Sequence, residues 1–374
     1  MAALWKSKNK ECDLIIDISS HSVGAVLTDF QNTKPKILFS RRLYLPLGTL
    51  AREALEKKTL ESLEIILDNL LKEEVAPKNK QIRKILCIMS APWVVSGVNE
   101  ISAREEKEIL ITQKTIDALL GKEMSEKKII TQTAVTIEKW LTQIKLNGYL
   151  IKNPIGKRAQ DIKATAFESR ARTEWLEKVE KIIFRRFHRE SYFHSHSFIL
   201  LNAIEQLFPE NKNYLLIEIT GETTELTIIK NGVIKRIYNF GLGKNIFLKS
   251  VAEKFGVEAD IALSFLKIYQ DKKAEQKFSN AISETISIAE KDWINSLNNF
   301  LENSKIKPQT IFLSVDPLFA SFFKSYISNY LGKEGERKII SLGSEALSHF
   351  IDLNGNQYDP TLALGLLSLK QIHS

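Results

Sequence analysis

The sequence predicts an α/β protein with two related lobes and a small α+β insert. Two observations lead to this prediction. A strand–turn–strand segment carrying one carboxylate occurs twice, and each copy is followed by an amphipathic helix and then an apolar strand. The length agrees, because single cores stop growing at about 250–300 residues and this chain has 374.

The two strand–turn–strand segments share one design. Residues 14–30 (LIIDISSHSVGAVLTDF) place Asp17 before a small-residue turn, and residues 215–229 (LLIEITGETTELTII) place Glu218 at the equivalent point. The elements that follow each segment are helices at 51–73 and 280–302 and apolar strands at 84–95 and 309–320. We therefore expect two related lobes with a ligand cleft between them.

The stretch between the two copies has a different pattern and predicts the insert. Its expected elements are a helix at 102–120, strands at 129–152 and 160–170, and a helix at 173–187. The expected division of the chain is 1–100 for the first half of lobe 1, 101–195 for the insert and 196–374 for lobe 2, with the final helix returning towards lobe 1.

Composition excludes several classes of protein. With only Cys12 and Cys87, neither a disulfide framework nor a four-cysteine zinc site can form. No apolar run approaches the roughly 20 residues of a membrane span, and the N-terminus lacks a secretory pattern, so a cytoplasmic protein is expected. The closely spaced His188, His194 and His196 are interpreted as structural, because no cysteine or regular helical histidine spacing accompanies them.

Charge is concentrated in one stretch. The net charge of the chain is +8, and residues 145–189 contain 12 Lys and Arg against 5 Asp and Glu. Such a local excess favours an acidic partner for this face, although a solvated surface also produces it. No nucleic-acid partner is expected. The candidate partner-binding cations are Lys157, Arg158, Lys163, Arg185, Arg186 and Arg189.

The order of these motifs resembles the actin-like (ribonuclease H-like) ATPase superfamily, within it the PilM and FtsA branch. The resemblance spans about residues 13–370. It rests on the paired hairpins, strand 311–316, the closing PTLALGLLSL, an insert-like segment at 147–167 with an Asn-Pro-x-Gly turn, and the glycine turn with its helices at 241–267.

The resemblance implies an ATP site with magnesium. In this superfamily the two hairpin turns hold the phosphates, and an acid in each half holds Mg²⁺ or positions water; Asp17 is the candidate magnesium ligand. The candidate nucleotide and magnesium residues are Asp17, Ser19, Ser22, Glu218, Gly221, Thr223, Thr224, Glu225, Gly241, Gly243, Ser314 and Asp316. The alternative to ligand binding is a structural role for each of these residues. The acids can cap hairpins, the threonines can be ordinary strand residues, and Gly241 and Gly243 can serve turn geometry.

The site departs from the superfamily pattern at most of these positions. Ser19 stands where a glycine is expected, Glu218 and Glu225 replace aspartates, and Val315 and Asp316 replace a Gly-Gly pair. A Glu222 carboxylate facing a phosphate about 4 Å away would cost about 4 kcal/mol at an effective dielectric of about 20. We therefore expect weak or no ATP hydrolysis.

Two kinds of machine remain open at this point. A PilM-like scaffold would bind the cytoplasmic tail of an inner-membrane protein such as PilN, whereas an FtsA-like protein would tether the division protein FtsZ; self-association accompanies either. The sequence ends with LSLKQIHS directly after the expected last helix, which favours the PilM-like alternative and no direct membrane insertion. A working ATPase of the same fold is the further alternative.

Overall fold

The structure is a computed structural model that describes residues 10–29, 35–48, 51–72, 80–122, 133–305, 307–331, 337–343, 347 and 359–372. Its strands are β1 (Lys10–Ile18), β2 (Ser22–Asp29), β3 (Lys36–Tyr44), β4 (Lys80–Met89), β5 (Val94–Leu110), β6 (Ala134–Leu146), β7 (Tyr149–Leu150), β8 (Arg158–Arg172), β9 (Ser191–Ser195), β10 (Tyr214–Ile219), β11 (Thr224–Lys230), β12 (Val233–Phe240), β13 (Thr310–Val315) and β14 (Lys338–Ser341). Its helices are α1 (Arg52–Lys72), α2 (Gln113–Lys122), α3 (Thr173–Phe187), α4 (His196–Leu207), α5 (Asn245–Phe255), α6 (Ala259–Gln270), α7 (Gln276–Ser304), α8 (Pro317–Leu331) and α9 (Pro360–Ile372). Within these ranges, no helix is both long and apolar enough to cross a membrane.

The two lobes contain sheets of matching topology. The strand orders are β3-β2-β1-β4-β9 in lobe 1 and β12-β11-β10-β13-β14 in lobe 2. In lobe 1, β1 pairs antiparallel with β2 and parallel with β4; in lobe 2, β10 pairs antiparallel with β11 and parallel with β13. The duplication predicted from the sequence is therefore confirmed.

Each sheet is covered by helices with an apolar face. Helix α1 buries Leu63, Ile66 and Leu67 against lobe 1, and α7 buries Ile286, Trp293 and other side chains in lobe 2. Both helices match the predicted positions, although α7 begins four residues before the predicted start. Helix α3, inside the stretch assigned to the insert, packs its apolar face into the core of lobe 1, where Trp175 stacks on Trp93 with ring centroids 4.0 Å apart.

The insert is a four-stranded antiparallel sheet with the order β5-β8-β6-β7, packed against α2. The predicted helix at 102–120 is wrong in its first half, because residues 102–110 continue β5, and α2 begins only at Gln113. Ile101 lies in the insert core and pairs with Ala164 of β8, while the charged residues that follow it face outwards. The strands predicted at 160–170 and over most of 129–152 are confirmed; residues 129–132 lie outside the described residues.

Helices α4 and α9 lie between the two sheets. Leu362 and Leu366 of α9 and Ile199 of α4 share a core with Ile15 of β1 and Phe312 of β13. This shared core fixes how the lobes face each other. It thereby brings the β1–β2 turn opposite the β10–β11 turn.

Candidate functional site

The two acid-bearing strands end at one small cavity between the lobes. Asp17 at the end of β1 and Glu218 near the end of β10 are 2% and 4% exposed, and both line the cavity together with Ser314 of β13. The space open to the centre of a water molecule is about 50 Å³. That volume corresponds to about four waters at roughly 10–15 Å³ each, so the cavity between the lobes is narrow.

The cavity is small because the two hairpin turns bind each other directly. The Glu222 N–H donates to the Ser20 hydroxyl (3.2 Å), and the Gly221 N–H donates to Nδ1 of His21 (3.1 Å). The Ser20 and Thr220 hydroxyls are also within hydrogen-bond distance, at 3.4 Å. Backbone N–H groups of a glycine-containing turn are the usual donors to phosphate. Here two of these donors are already satisfied by side chains of the opposite turn.

Close packing of the turns requires a glycine at position 221. A Cβ at Gly221 would lie 2.4 Å from the Cβ of His21. His21 itself is neutral, since burial and then the nearby Lys244 and Arg42 charges hold its pKa well below the usual range. A neutral imidazole can accept at Nδ1, so the electrostatics agree with the hydrogen bond from Gly221.

Asp17 is neutralised by a cation from the protein itself. Nη2 of Arg42, on β3, lies 2.7 Å from Oδ2 of Asp17, and Nη1 donates to the Ser22 hydroxyl at 2.7 Å. Nε of Arg42 donates to Asp359, just before α9. A divalent ion about 4 Å from the guanidinium charge would be repelled by about 8 kcal/mol at an effective dielectric of about 20. The residues around Asp17 therefore do not fit a magnesium ion with Arg42 in this position.

A buried acid–base cluster lies on the lobe 2 side. Nδ1 of His196 is 2.7 Å from Oε1 of Glu218. Burial alone would lower the pKa of His196, but the Glu218 carboxylate raises it above the ordinary value. Burial and then the Glu218 charge raise the pKa of Glu225 to about 8, and the Ser197 hydroxyl donates to it. Burial and the Glu218 charge both favour the neutral, protonated form of Glu225.

The remaining predicted hairpin residues mostly hold the turns together. Ser19 and Ser22 are buried and their hydroxyls are 3.1 Å apart. The Thr223 hydroxyl is 2.9 Å from that of Thr220. Thr224 is fully buried, where it donates to the Leu242 carbonyl and accepts from Trp293.

The two glycines of the 241–244 loop differ in their surroundings. A Cβ at Gly243 would lie 2.4 Å from the Gly221 carbonyl oxygen, so this glycine lets the loop pack on the second hairpin turn. The Lys244 N–H then donates to the Thr220 carbonyl at 2.9 Å. At Gly241, by contrast, a Cβ would meet no described atom within 4 Å.

The assumption that Glu222 faces the phosphate position is wrong. Its carboxylate accepts hydrogen bonds from Lys249 (2.9 and 3.1 Å) and from Asn245 (2.9 Å), both on α5. The side chain thus lies on the lobe 2 surface, away from the cavity. Glu222 contributes its backbone N–H to the closed turns, and not a repulsive charge.

Asp316 also has partners within the protein. It accepts from the buried Lys244 and, across the cleft, from the Tyr44 hydroxyl at 3.4 Å. The Lys244 ammonium lies 5.4 Å from the centre of the Tyr44 ring and 5.3 Å from that of Phe319. The place expected for the nucleoside, beside Val315 and Asp316, is therefore bridged from lobe to lobe by side chains.

Comparison with solved structures matches this two-lobed arrangement. The chain superposes on a chain of the PilM-PilN type IV pilus biogenesis complex with a TM-score of 0.66 and 16% identity, covering 97% of this chain and 99% of that one. The fold is the actin-like ATPase fold. The resemblance to PilM that the sequence indicated is thus confirmed at the level of structure.

Two other solved structures overlap less well with this actin-like chain. A Bacteroides thetaiotaomicron protein described as having an actin-like ATPase fold and unknown function gives a TM-score of 0.44 at 9% identity, covering 98% of this chain and 99% of that one. The ethanolamine utilization protein EutJ from Carboxydothermus hydrogenoformans gives a TM-score of 0.46 at 10% identity, covering 88% of this chain and 84% of that one. No protein-family model matches the sequence, and no curated protein does so either.

Five of the six candidate partner-binding cations form two exposed groups on the actin-like fold. Lys157, Arg158 and Lys163 are exposed on β8 or just before it, in the insert. Arg185 and Arg189 are exposed at the end of α3, beside lobe 1. Arg186 differs from both groups because its side chain is mostly buried and donates to Asp68 of α1 at 2.7 Å.

Several residues of the site escaped sequence reasoning. Sequence patterns do not single out His21, Arg42, Lys244 or Asp359, and they indicate only a structural role for His196. The signal for Arg42 exists only in the strand register, which aligns Asp17 with Gly24 and Gly24 with Arg42. His194 bonds Glu138 and His196 bonds Glu218. Among the described residues, no three His, Cys, Asp or Glu side chains are grouped to hold a metal ion.

The raised pKa of Glu225 gives a prediction about stability and pH. The folded protein keeps this proton up to about pH 8, whereas an ordinary glutamate releases it near 4.5. Between these values the folded state binds more protons than the unfolded state, so stability falls as pH rises. In Glu225→Gln the neutral side chain is permanent, and the free energy of unfolding should therefore fall less steeply over this range.

The measurement is urea unfolding of both proteins at several values between about pH 5 and about pH 8. The two proteins should be similar in stability at the acidic end, which serves as the internal control. Equal slopes for wild type and Glu225→Gln would contradict the protonated state of Glu225.

Proposed function

We propose that this chain is a non-hydrolysing actin-like scaffold that binds the cytoplasmic tail of an inner-membrane protein, in a machine of the type IV pilus kind. The proposal that the chain does not hydrolyse ATP rests on one observation. The Gly221 and Glu222 N–H groups, which would otherwise be free to bind phosphate, donate hydrogen bonds to His21 and Ser20. The likeness to a chain of the PilM-PilN complex supports the choice of machine. Fold alone does not establish activity, so both parts need separate tests.

The proposed place of action is the cytoplasmic face of the membrane, reached through the partner. A PilN-like tail is the favoured partner because the complex that this chain resembles in structure is named for PilM and PilN. No observation on this chain favours an FtsZ-like partner over it. The scaffold would hold its two lobes in one fixed arrangement by side-chain contacts, without a nucleotide cycle.

The tail is proposed to bind at the tip of the insert, defined here by Leu110, Tyr149, Leu150, Ile155, Lys157 and Arg158. Leu110 pairs with Arg158 at one end of the sheet, and the Gly156 N–H donates to the Ile111 carbonyl, so the 153–157 turn lies beside this end. Tyr149, Leu150 and Ile155 are 75%, 59% and 58% exposed. Exposed apolar side chains next to cations suit an acidic tail with apolar anchors.

Nucleotide binding is the first test of this proposal. Titration of the full chain with ATP and magnesium in a calorimeter should give no binding of micromolar affinity, because the two turn N–H groups already have partners and Oδ2 of Asp17 is paired with Arg42. Micromolar or tighter binding would contradict the closed-site proposal. A second titration with ADP and magnesium checks that the result does not depend on the γ-phosphate.

Tail binding is the second test, and the two cation groups provide a matched pair of variants. Lys157→Glu/Arg158→Glu changes the insert tip, and Arg185→Glu/Arg189→Glu makes the same charge change at the end of α3. Association of a labelled PilN-like tail from the same organism, measured by stopped flow, should slow in the first variant. The rate should also lose much of its dependence on salt, because rim charges act mainly on association.

The α3 variant should associate with the tail at a near wild-type rate, because α3 lies outside the insert tip. It should also fold normally, because few exposed surface substitutions change stability by more than about 0.5 kcal/mol. An equal loss in both variants would assign binding to overall charge. Unchanged association in the insert-tip variant would contradict the assignment of the tail to this surface.

A further inference from the structure

Arg42 reaches Asp17 across a whole strand. Asp17 of β1 pairs with Gly24 of β2, and Gly24 pairs with Arg42 of β3, so the three residues stand in one row across the sheet. Side chains directly opposite one another in such a row lie on the same face. The Arg42 side chain therefore passes over Gly24 to meet the Asp17 carboxylate at 2.7 Å.

Gly24 makes this passage possible. A Cβ at position 24 would lie 2.9 Å from Nη2 and 3.0 Å from Cζ of Arg42. Such distances are shorter than ordinary van der Waals contact, so any larger residue would push the guanidinium away. The glycine and the arginine thus form a matched pair in neighbouring strands.

The other end of the guanidinium is bound to Asp359. Asp359 precedes α9, and its Oδ1 accepts from the N–H groups of Thr361 (2.9 Å) and Leu362 (3.2 Å), as a helix-capping acid does. Arg42 thus joins the end of β1 to the start of the helix that lies between the lobes. Its side chain is 12% exposed. Burial lowers the pKa of Arg42, but Asp359 and Asp17 together raise it above the ordinary value, so the group stays charged.

We propose that the Arg42 guanidinium is a built-in cation that replaces a metal ion between Asp17 and Asp359. It supplies positive charge to the buried Asp17 and the mostly buried Asp359 carboxylates and so keeps this side of the cleft assembled without magnesium. The residues that define the arrangement are Asp17, Gly24, Arg42 and Asp359. This role of Arg42 concerns how the cleft is held together, so it does not depend on which partner the scaffold binds.

The inference predicts that removal of the guanidinium creates a cation requirement. Arg42→Ala leaves Asp17 and Asp359 buried without their positive partner, which is destabilising, and opens space beside them. Millimolar Mg²⁺ or ethylguanidinium should then bind the folded state and raise its Tm by about 3 °C or more, since a ligand specific to the folded state stabilises it. The wild-type Tm should not respond to either ion beyond the effect of NaCl at equal ionic strength.

The experiment is thermal unfolding of the full chain followed by circular dichroism. Arg41→Ala, which removes an exposed arginine from the same strand, is the matched control and should show no rescue by either ion. Absence of specific rescue in Arg42→Ala would overturn the proposal, and so would an equal response of the wild type to Mg²⁺. No nucleotide or partner is present, so this test can fail while the scaffold proposal stands.

A second variant covers the case in which Arg42→Ala does not fold. Gly24→Ala keeps the arginine but places a methyl group where the guanidinium now passes. It should fold with a lowered Tm, and part of that loss should be recovered with Mg²⁺ as the displaced guanidinium leaves Asp17. A Gly24→Ala protein with wild-type Tm and no response to Mg²⁺ would show that the row across β1, β2 and β3 does not control the site.

Discussion

Two hairpin turns meet directly across the cleft, and the rest of the site depends on that contact. The Gly221 and Glu222 N–H groups donate to His21 and Ser20 of the opposite turn. Buried donors need partners, and here the partners come from the protein. Because those N–H groups are occupied, the cavity behind them is reduced to about 50 Å³. The same contact requires a glycine at 221 and a neutral imidazole at His21.

Closing the cleft in this way leaves several carboxylates buried, and each is compensated differently. Asp17 has the guanidinium of Arg42, Glu218 has the imidazole of His196, and Glu225 retains a proton. Uncompensated buried charge would be strongly destabilising. Arg42 and His196 belong to the chain itself, and we propose that for this reason the two lobes need no added cation to stay assembled.

The sequence predicted the overall fold better than it predicted the contacts in the candidate site. Hairpins and amphipathic helices depend on local patterns, so the duplication and the positions of α1 and α7 were accessible. The charged run EEKE within 102–120 obscured the strand, because it falls at a shift in register between Arg104 and Ile109, and only the pairing of the residues on either side with β8 shows that β5 continues. Arg42 could not be recognised as a site residue from the sequence, because its contact with Asp17 depends on the register of three strands. The direction of Glu222 likewise depends on Lys249, which lies on a helix that packs beside the turn.

We propose that side chains, and not a nucleotide, hold the two lobes together. This can be tested by measuring the distance between the lobes. Spin labels at cysteines introduced for Lys58 of α1 and Ile288 of α7, which are 49% and 72% exposed, would report it by pulsed electron resonance, and the two native cysteines are buried. We predict one narrow distance distribution that ATP and magnesium leave unchanged. A broad distribution that narrows when ATP and magnesium are added would contradict it.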